Sequence, residues 1–268
     1  MISFTSAQLT AWIAMLIYPM ARVLALIASA PVIGNRQVPI RIKIGLAAIF
    51  TVVIAPTLDL QDLPDPASAE GILILLQQMV AGLMMGFSIR LIFAAIEMAG
   101  DIAGMQMGLG FANFFDPQNS TIRPVLAQFL GIIVALTFIS MDLHLYMLAA
   151  LGDSFQSFPI ANTIPSAGAF RTAAEWGGSI FAYALQFSLP LIAALLITNL
   201  SLGILTRTAP QLNIFAVGFP ITIGVGFIVL ALVLPFLAPL LEYIFHQALD
   251  TVARIMLQLS GRPAPAPL

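Results

Sequence analysis

Arg90, Glu97 and Asp101 are the residues of this 268-residue chain best spaced to do chemistry together. They stand seven and four positions apart, which at about 3.6 residues per turn aligns them along one side of a helix. Each lies in or beside an apolar stretch, where an ionisable group costs roughly 2.5–3.5 kcal/mol unless it faces protein or water. Such a stripe has two uses: a structural ion-pair network, which is the plainer reading, and a polar line along a conduction path. Arg22, set inside another apolar run, invites the same two readings, and its long stem could also snorkel to an interface. Arg22, Arg90, Glu97 and Asp101 are therefore expected to form a buried charge network. Catalytic chemistry has less support. His144 and His246 lie far apart in the chain and make a poor metal pair, and Asp142 beside His144 reads as an interfacial polar cluster before a proton relay. No phosphate-binding loop, His-Glu-x-x-His zinc pattern or Gly-x-Ser-x-Gly elbow is present. Gly108-Leu109-Gly110 begins like an intramembrane aspartyl-protease motif, but Phe111 stands where the aspartate would be needed. No enzyme, cofactor or metal is expected, and the absence of cysteine removes disulfides and thiolate sites.

The elements that must position these residues are helices in an apolar surrounding. Hydrophobic residues make up 60% of the chain, charged residues only 8%, and mean hydropathy is +1.02, far from the composition of a soluble domain. A formal net charge of −2 gives no basic field for nucleic acid, so no nucleic-acid partner is expected. Apolar runs near the length of a membrane crossing occupy residues 9–32, 44–58, 72–98, 125–151, 176–205 and 214–241, the second being short. They define an all-α, polytopic membrane-type protein of about six long apolar helices forming hairpins. The hydrophilic connections at 55–70, 100–124 and 152–175 are too small for a separate soluble domain. Arg36, Arg41 and Lys43 follow the first run and Arg207 follows the fifth, whereas the loop at 59–70 holds four acids. Positive loops face the cytoplasm, which places both termini outside, with Arg254 and Arg262 as contrary charges. No basic residue precedes Arg22, so no cleaved signal segment is expected and Met1 is expected to remain. The closing Arg262-Pro-Ala-Pro-Ala-Pro-Leu268 suits an extended tail.

Glycines and methionines crowd the middle of the chain. Gly82 and Gly86, and then Gly100, Gly104 and Gly108, recur every four residues, a spacing that lets helix backbones approach closely. Six of the 12 methionines, Met79, Met84, Met85, Met98, Met105 and Met107, share this interval. Methionine is flexible and polarizable, so it seals irregular gaps and repacks as they change. Phe111, Phe114 and Phe115 then follow Gly110, three large aromatics on a glycine-loosened loop. An ordinary buried hydrophobic loop has the same composition as a plug that yields to a passing chain. Further on, Pro210, Asn213, Gly218 and Pro220 interrupt the last two apolar runs with residues that a helix spanning lipid does not need.

The stretch Pro210-Gln211-Leu212-Asn213 with Gly218-Phe219-Pro220 resembles the C-terminal signature of the R-type export-gate proteins of bacterial type III secretion, the flagellar branch above all. The resemblance extends over most of residues 1–240. It includes Arg22 within an apolar run, Ser29-Ala30-Pro31-Val32 and the basic turn from Val38 to Gly45. It continues through Phe111-Ala112-Asn113-Phe114-Phe115-Asp116-Pro117, Pro124-Val125-Leu126-Ala127, His144, and Ser154-Phe155 with Phe158-Pro159-Ile160. Leu143 departs from the pattern, since members usually carry glycine before the histidine. The resemblance implies a subunit of the protein export gate in the bacterial inner membrane and flagellar basal body, forming and gating a channel for unfolded substrate proteins. It implies that residues 104–120 hold a plug loop, with Phe111, Phe114 and Phe115 beside a gasket to which Met105 and Met107 contribute. Implied partners are the P-type and Q-type gate subunits, the B-type switch protein, the A-type gate subunit, membrane lipid and the exported proteins themselves. Residues 1–205 would be similar to a P-type subunit, 206–248 would complete a Q-type-like hairpin, and 249–268 would be a helix end and tail. Two alternatives stay open: a small-solute or ion transporter that uses the charged stripe, and a purely structural subunit around which others assemble.

Overall fold

A computed structural model describes residues 6–58, 63–111, 124–163, 165–211 and 214–262, and among them every regular element is helical. Among the described residues, eight α-helices follow in chain order: α1 (Ser6–Ser29), α2 (Ile40–Ile54), α3 (Ala69–Gln106), α4 (Val125–Ser140), α5 (Leu143–Ser157), α6 (Ala167–Thr208), α7 (Ile214–Val233) and α8 (Leu237–Leu259). Helices dominate because a chain this apolar must satisfy its backbone polar groups within each segment. Among the described residues, five helical stretches are long and apolar enough to cross a membrane, or six if α4 and α5 together make one span.

Several expected boundaries move. The run at 125–151, read as one crossing, is two helices separated at Met141–Asp142, where Asp142 adopts a left-handed conformation with φ 56°. Aspartate tolerates that region better than the aliphatic residues around it. The connections at 100–124 and 152–175 shrink, because α3 continues through Gly100 and Gly104, α5 reaches Ser157, and α6 begins at Ala167. Arg41 and Lys43, read as part of a basic turn, lie in the first turn of α2, and the Lys43 ammonium donates to the Gly34 carbonyl at 2.9 Å. Gly218 and Pro220 do not interrupt α7, which runs through both. The interruption comes later, at the 3-10 turn Leu234–Phe236 that carries Pro235, inside a stretch read as continuous to residue 241. The helix end expected from residue 249 belongs to the amphipathic α8, whose Phe245, Ala248, Val252, Ile255, Met256 and Leu259 are buried.

The chain divides into two compact units, each assembled from separated stretches: Met1–Leu91, Asp142–Gly177 and Phe245–Leu268 in one, Ile92–Met141 and Gly178–Ile244 in the other. In the first unit α1 and α3 pack through glycine. A Cβ on Gly82 would meet Ala25 Cβ at 2.8 Å, and one on Gly86 would meet Ser29 Cβ at 2.9 Å. Ala14, Tyr18 and Ile74 form a buried cluster against Leu63, Leu75 and Ile160, and the Tyr18 hydroxyl donates to the Pro64 carbonyl at 2.9 Å. The Trp176 indole on α6 donates to the Ser88 carbonyl on α3 at 2.9 Å, and Thr172 donates to Gln258 on α8 at 2.8 Å. In the second unit Gly100 lies against the backbone of α4, where its Cβ would stand 2.7 Å from Ala127 Cα. Phe93 and Phe138 meet edge to face with centroids 5.4 Å apart, a favoured aromatic geometry.

Candidate channel-closing site and the buried arginine

In the second unit, the end of α3 is held by α7. Hydrogen bonds from the Met107 amide to the Ala103 carbonyl at 2.9 Å and from the Gly108 amide to the Met105 carbonyl at 3.0 Å complete the last helical turn. Gly108 then takes φ 80°, a conformation that ends helices and strongly favours glycine. A 3-10 turn, Leu109–Phe111, follows. Met107 is fully buried, with its side chain against Gly226 of α7, and its carbonyl accepts from the Thr222 hydroxyl at 3.4 Å. Thr222 shares that hydroxyl with the Phe219 carbonyl at 3.1 Å. Met105, two positions earlier, is 66% exposed. The two methionines expected to act as one gasket therefore stand in different surroundings, one seated and one free to meet a neighbour. Phe111 lies in the 3-10 turn, while Phe114, Phe115 and Asn213 fall outside the described residues. Pro210 sits in the turn after α6, and Gly218 and Pro220 lie in the opening turns of α7.

In the first unit Arg22 is fully buried, as its place in an apolar run implied, but its partners are not the expected acids. The guanidinium donates twice to Gln78 Oε1, once at 2.9 Å, and also to Ser154 Oγ at 3.1 Å and to the Phe158 carbonyl at 2.6 Å. Its carbon stands 4.1 Å from the centre of the Phe155 ring and 5.3 Å from that of Phe158, within cation–π range. Ser154 lies in the last turn of α5 and Phe158 caps it, so the cation meets the negative end of that helix's dipole. Neutral acceptors, two ring faces and a helix terminus take the place of a carboxylate. Arg90 is exposed and Glu97 half-buried, its carboxylate close to Gly131 of α4 at 3.1 Å from where a Cβ would be, and Asp101 is half-buried.

Gln78, Thr222 and Gly226 were not singled out from sequence. Gln77-Gln78 inside an apolar run was a readable signal, because an amide there needs a partner. Thr222 and Gly226 carried none that distinguishes them from the neighbouring small residues. The Tyr146 and His246 rings approach edge to face at 6.3 Å, and among the described residues no group of three or more His, Cys, Asp or Glu could hold a metal ion.

A polytopic helical protein of the membrane type, braced internally by an arginine held among neutral acceptors and by glycine-mediated helix contacts, is the class that fold and site define. The chain belongs to the family described as bacterial export proteins, family 1, which it matches over residues 13–248. It is similar to the flagellar biosynthetic protein FliR of Pectobacterium carotovorum subsp. carotovorum, 44% identical over 97% of this chain and 100% of that protein. It is 40% identical to FliR of Escherichia coli (strain K12), over 97% of this chain and 99% of the relative. The resemblance reaches FliR of Bacillus subtilis (strain 168), 31% identical over 88% of this chain and 92% of that one.

Proposed function

We propose that this chain is a subunit of the flagellar type III export apparatus in the bacterial inner membrane, where it helps to form and close the channel taken by unfolded substrate proteins. Membership of the export family supports the apparatus. The observation that carries closure is the seated end of α3, where Met107 is buried against α7 and Gly108 turns the chain immediately ahead of the aromatic segment. A loop that blocks a pore and yields to a passing chain needs a fixed root and a deformable body, and methionine with clustered phenylalanine supplies the second. P-type, Q-type, B-type and A-type export proteins are the partners this reading requires, with residues 1–205 taking a P-type-like place and the hairpin completed by 206–248 a Q-type-like one. Deleting residues 113–117 tests closure: the complex should still assemble while the membrane becomes permeable to small ions and solutes. Loss of the complex would instead favour a purely structural subunit, a reading supported by the direct backbone contact of Gly100 with Ala127. An assembled complex with a tight membrane would end the closure reading.

A further inference from the structure

We propose that Gly226 and Thr222 are positioning residues for Met107, forming a seat on α7 that fixes where the end of α3 stands. The inference rests on the closure reading, and it assigns to α7 the control of the closing element's root. Two glycines of α7 separate the roles. Among the described residues nothing lies within 4 Å of the point where a Cβ on Gly224 would be, so its lack of a side chain serves no contact there. At Gly226 the same point lies 2.6 Å from Met107 Cγ, 2.7 Å from Cε and 2.7 Å from Sδ. The three nearest atoms all belong to the Met107 side chain, so a larger residue there collides first with the methionine. Methionine has several rotatable bonds, so the collision evicts Met107 from its seat and leaves the helices where they are. Thr222 stands one helical turn before Gly226, on the same face of α7. Its hydroxyl reaches the Met107 carbonyl at 3.4 Å, the first carbonyl past the end of α3, where helical donors run out. Side chain and backbone of the same residue are thus gripped by two positions of one helix face.

The chain contains no cysteine, so an engineered pair reports on the seat without background. In the co-expressed export complex, Met107→Cys with Gly226→Cys should form a disulfide under mild oxidation, while Met105→Cys with Gly226→Cys should not. Gly226→Ala should leave the complex assembled and raise ion leak several-fold, since overpacking of this kind shifts a seated state by on the order of tenfold. Met107→Ala should leak similarly, and the double variant no more than either single one, because both remove the same contact. Thr222→Val adds no volume and should leak less than Gly226→Ala but more than the unaltered protein, which keeps the test open if Gly226→Ala fails to assemble. A sealed Gly226→Ala complex beside a leaking 113–117 deletion would overturn the seat while the closure reading stands. A deletion that does not leak would remove the closure reading and the functional role of the seat together, and absence of the 107–226 disulfide would refute the geometry itself.

Discussion

A guanidinium fully withdrawn from water is expensive to bury, and Arg22 shows how the cost is offset without an acid. Its four hydrogen bonds to Gln78, Ser154 and the Phe158 carbonyl are charge-assisted, and two ring faces and the C-terminus of α5 spread the remaining charge. The arrangement predicts an asymmetry between the two sides of the contact. Gln78→Leu strands a buried cation short of two bonds and should destabilise the fold by about 3–5 kcal/mol, the cost of breaking a buried charged contact from one side. Arg22→Met removes the charge itself, leaves neutral acceptors behind, and should cost about 1–3 kcal/mol. Thermal unfolding of the purified complexes, followed by loss of monodispersity, checks the order; equal shifts would mean that the amide does not carry the cation. That Arg22 is buried was legible from its neighbours in the sequence. Its partners were not, because Gln78 and Ser154 lie 56 and 132 positions away and only the packing of α1, α3 and α5 brings them together.

Helices were the most legible level, since each of the six apolar runs corresponds to a helix or, at residues 125–151 and 214–241, to a pair. Their ends were less so. Composition marks where a segment becomes polar, whereas α3 continues past Met98 because Gly100 and Gly104 still pack on α4. The signature prolines behaved differently: Pro210 lies in the break after α6, whereas α7 runs through Pro220 in its second turn. The evenly spaced glycines looked equivalent in sequence and are not. At Gly100 a Cβ would stand 2.7 Å from Ala127 Cα and 2.8 Å from its nitrogen, backbone atoms that cannot turn aside, whereas at Gly104 the nearest atoms of Leu126 are 3.9 Å away. Gly100→Ala should therefore force α3 from α4 and destabilise by about 1–3 kcal/mol. Gly104→Ala meets ordinary contact distances and should stabilise by up to about 1 kcal/mol through helix propensity. Melting temperatures that move in opposite directions for two alanines four residues apart would establish contact, not glycine content, as the function of this seam.

At the scale of the whole molecule, the distribution of burial requires neighbours. Of the candidate spans, α3 has 61% of its most apolar window buried within the chain, against 28% for α6 and 11% for the stretch Ile40–Thr57. Ile49, Val52 and Val53 on α2, and Leu196, Ile197, Leu200 and Ile204 on α6, all present aliphatic side chains outward. Lipid could cover such faces, and so could other subunits, and hydropathy does not tell the two apart because lipid tails and helix partners are equally apolar. Family membership favours subunits, and the two possibilities separate in detergent. Co-expression with P-type and Q-type export proteins, followed by extraction and native mass spectrometry, should yield a discrete mixed complex containing this chain, while the chain produced alone should be polydisperse. Aspartate at Leu200 or Val53 sharpens the result. If a subunit covers the site, a buried unpaired carboxylate should remove that subunit from the recovered complex, because the group would be desolvated without a partner. If lipid covers it, the micelle allows the carboxylate to reach water and the complex should survive with its composition unchanged. A stable, monodisperse chain recovered only by itself would mean that its outer faces are finished by lipid, and the assembled channel would lose this subunit from its wall.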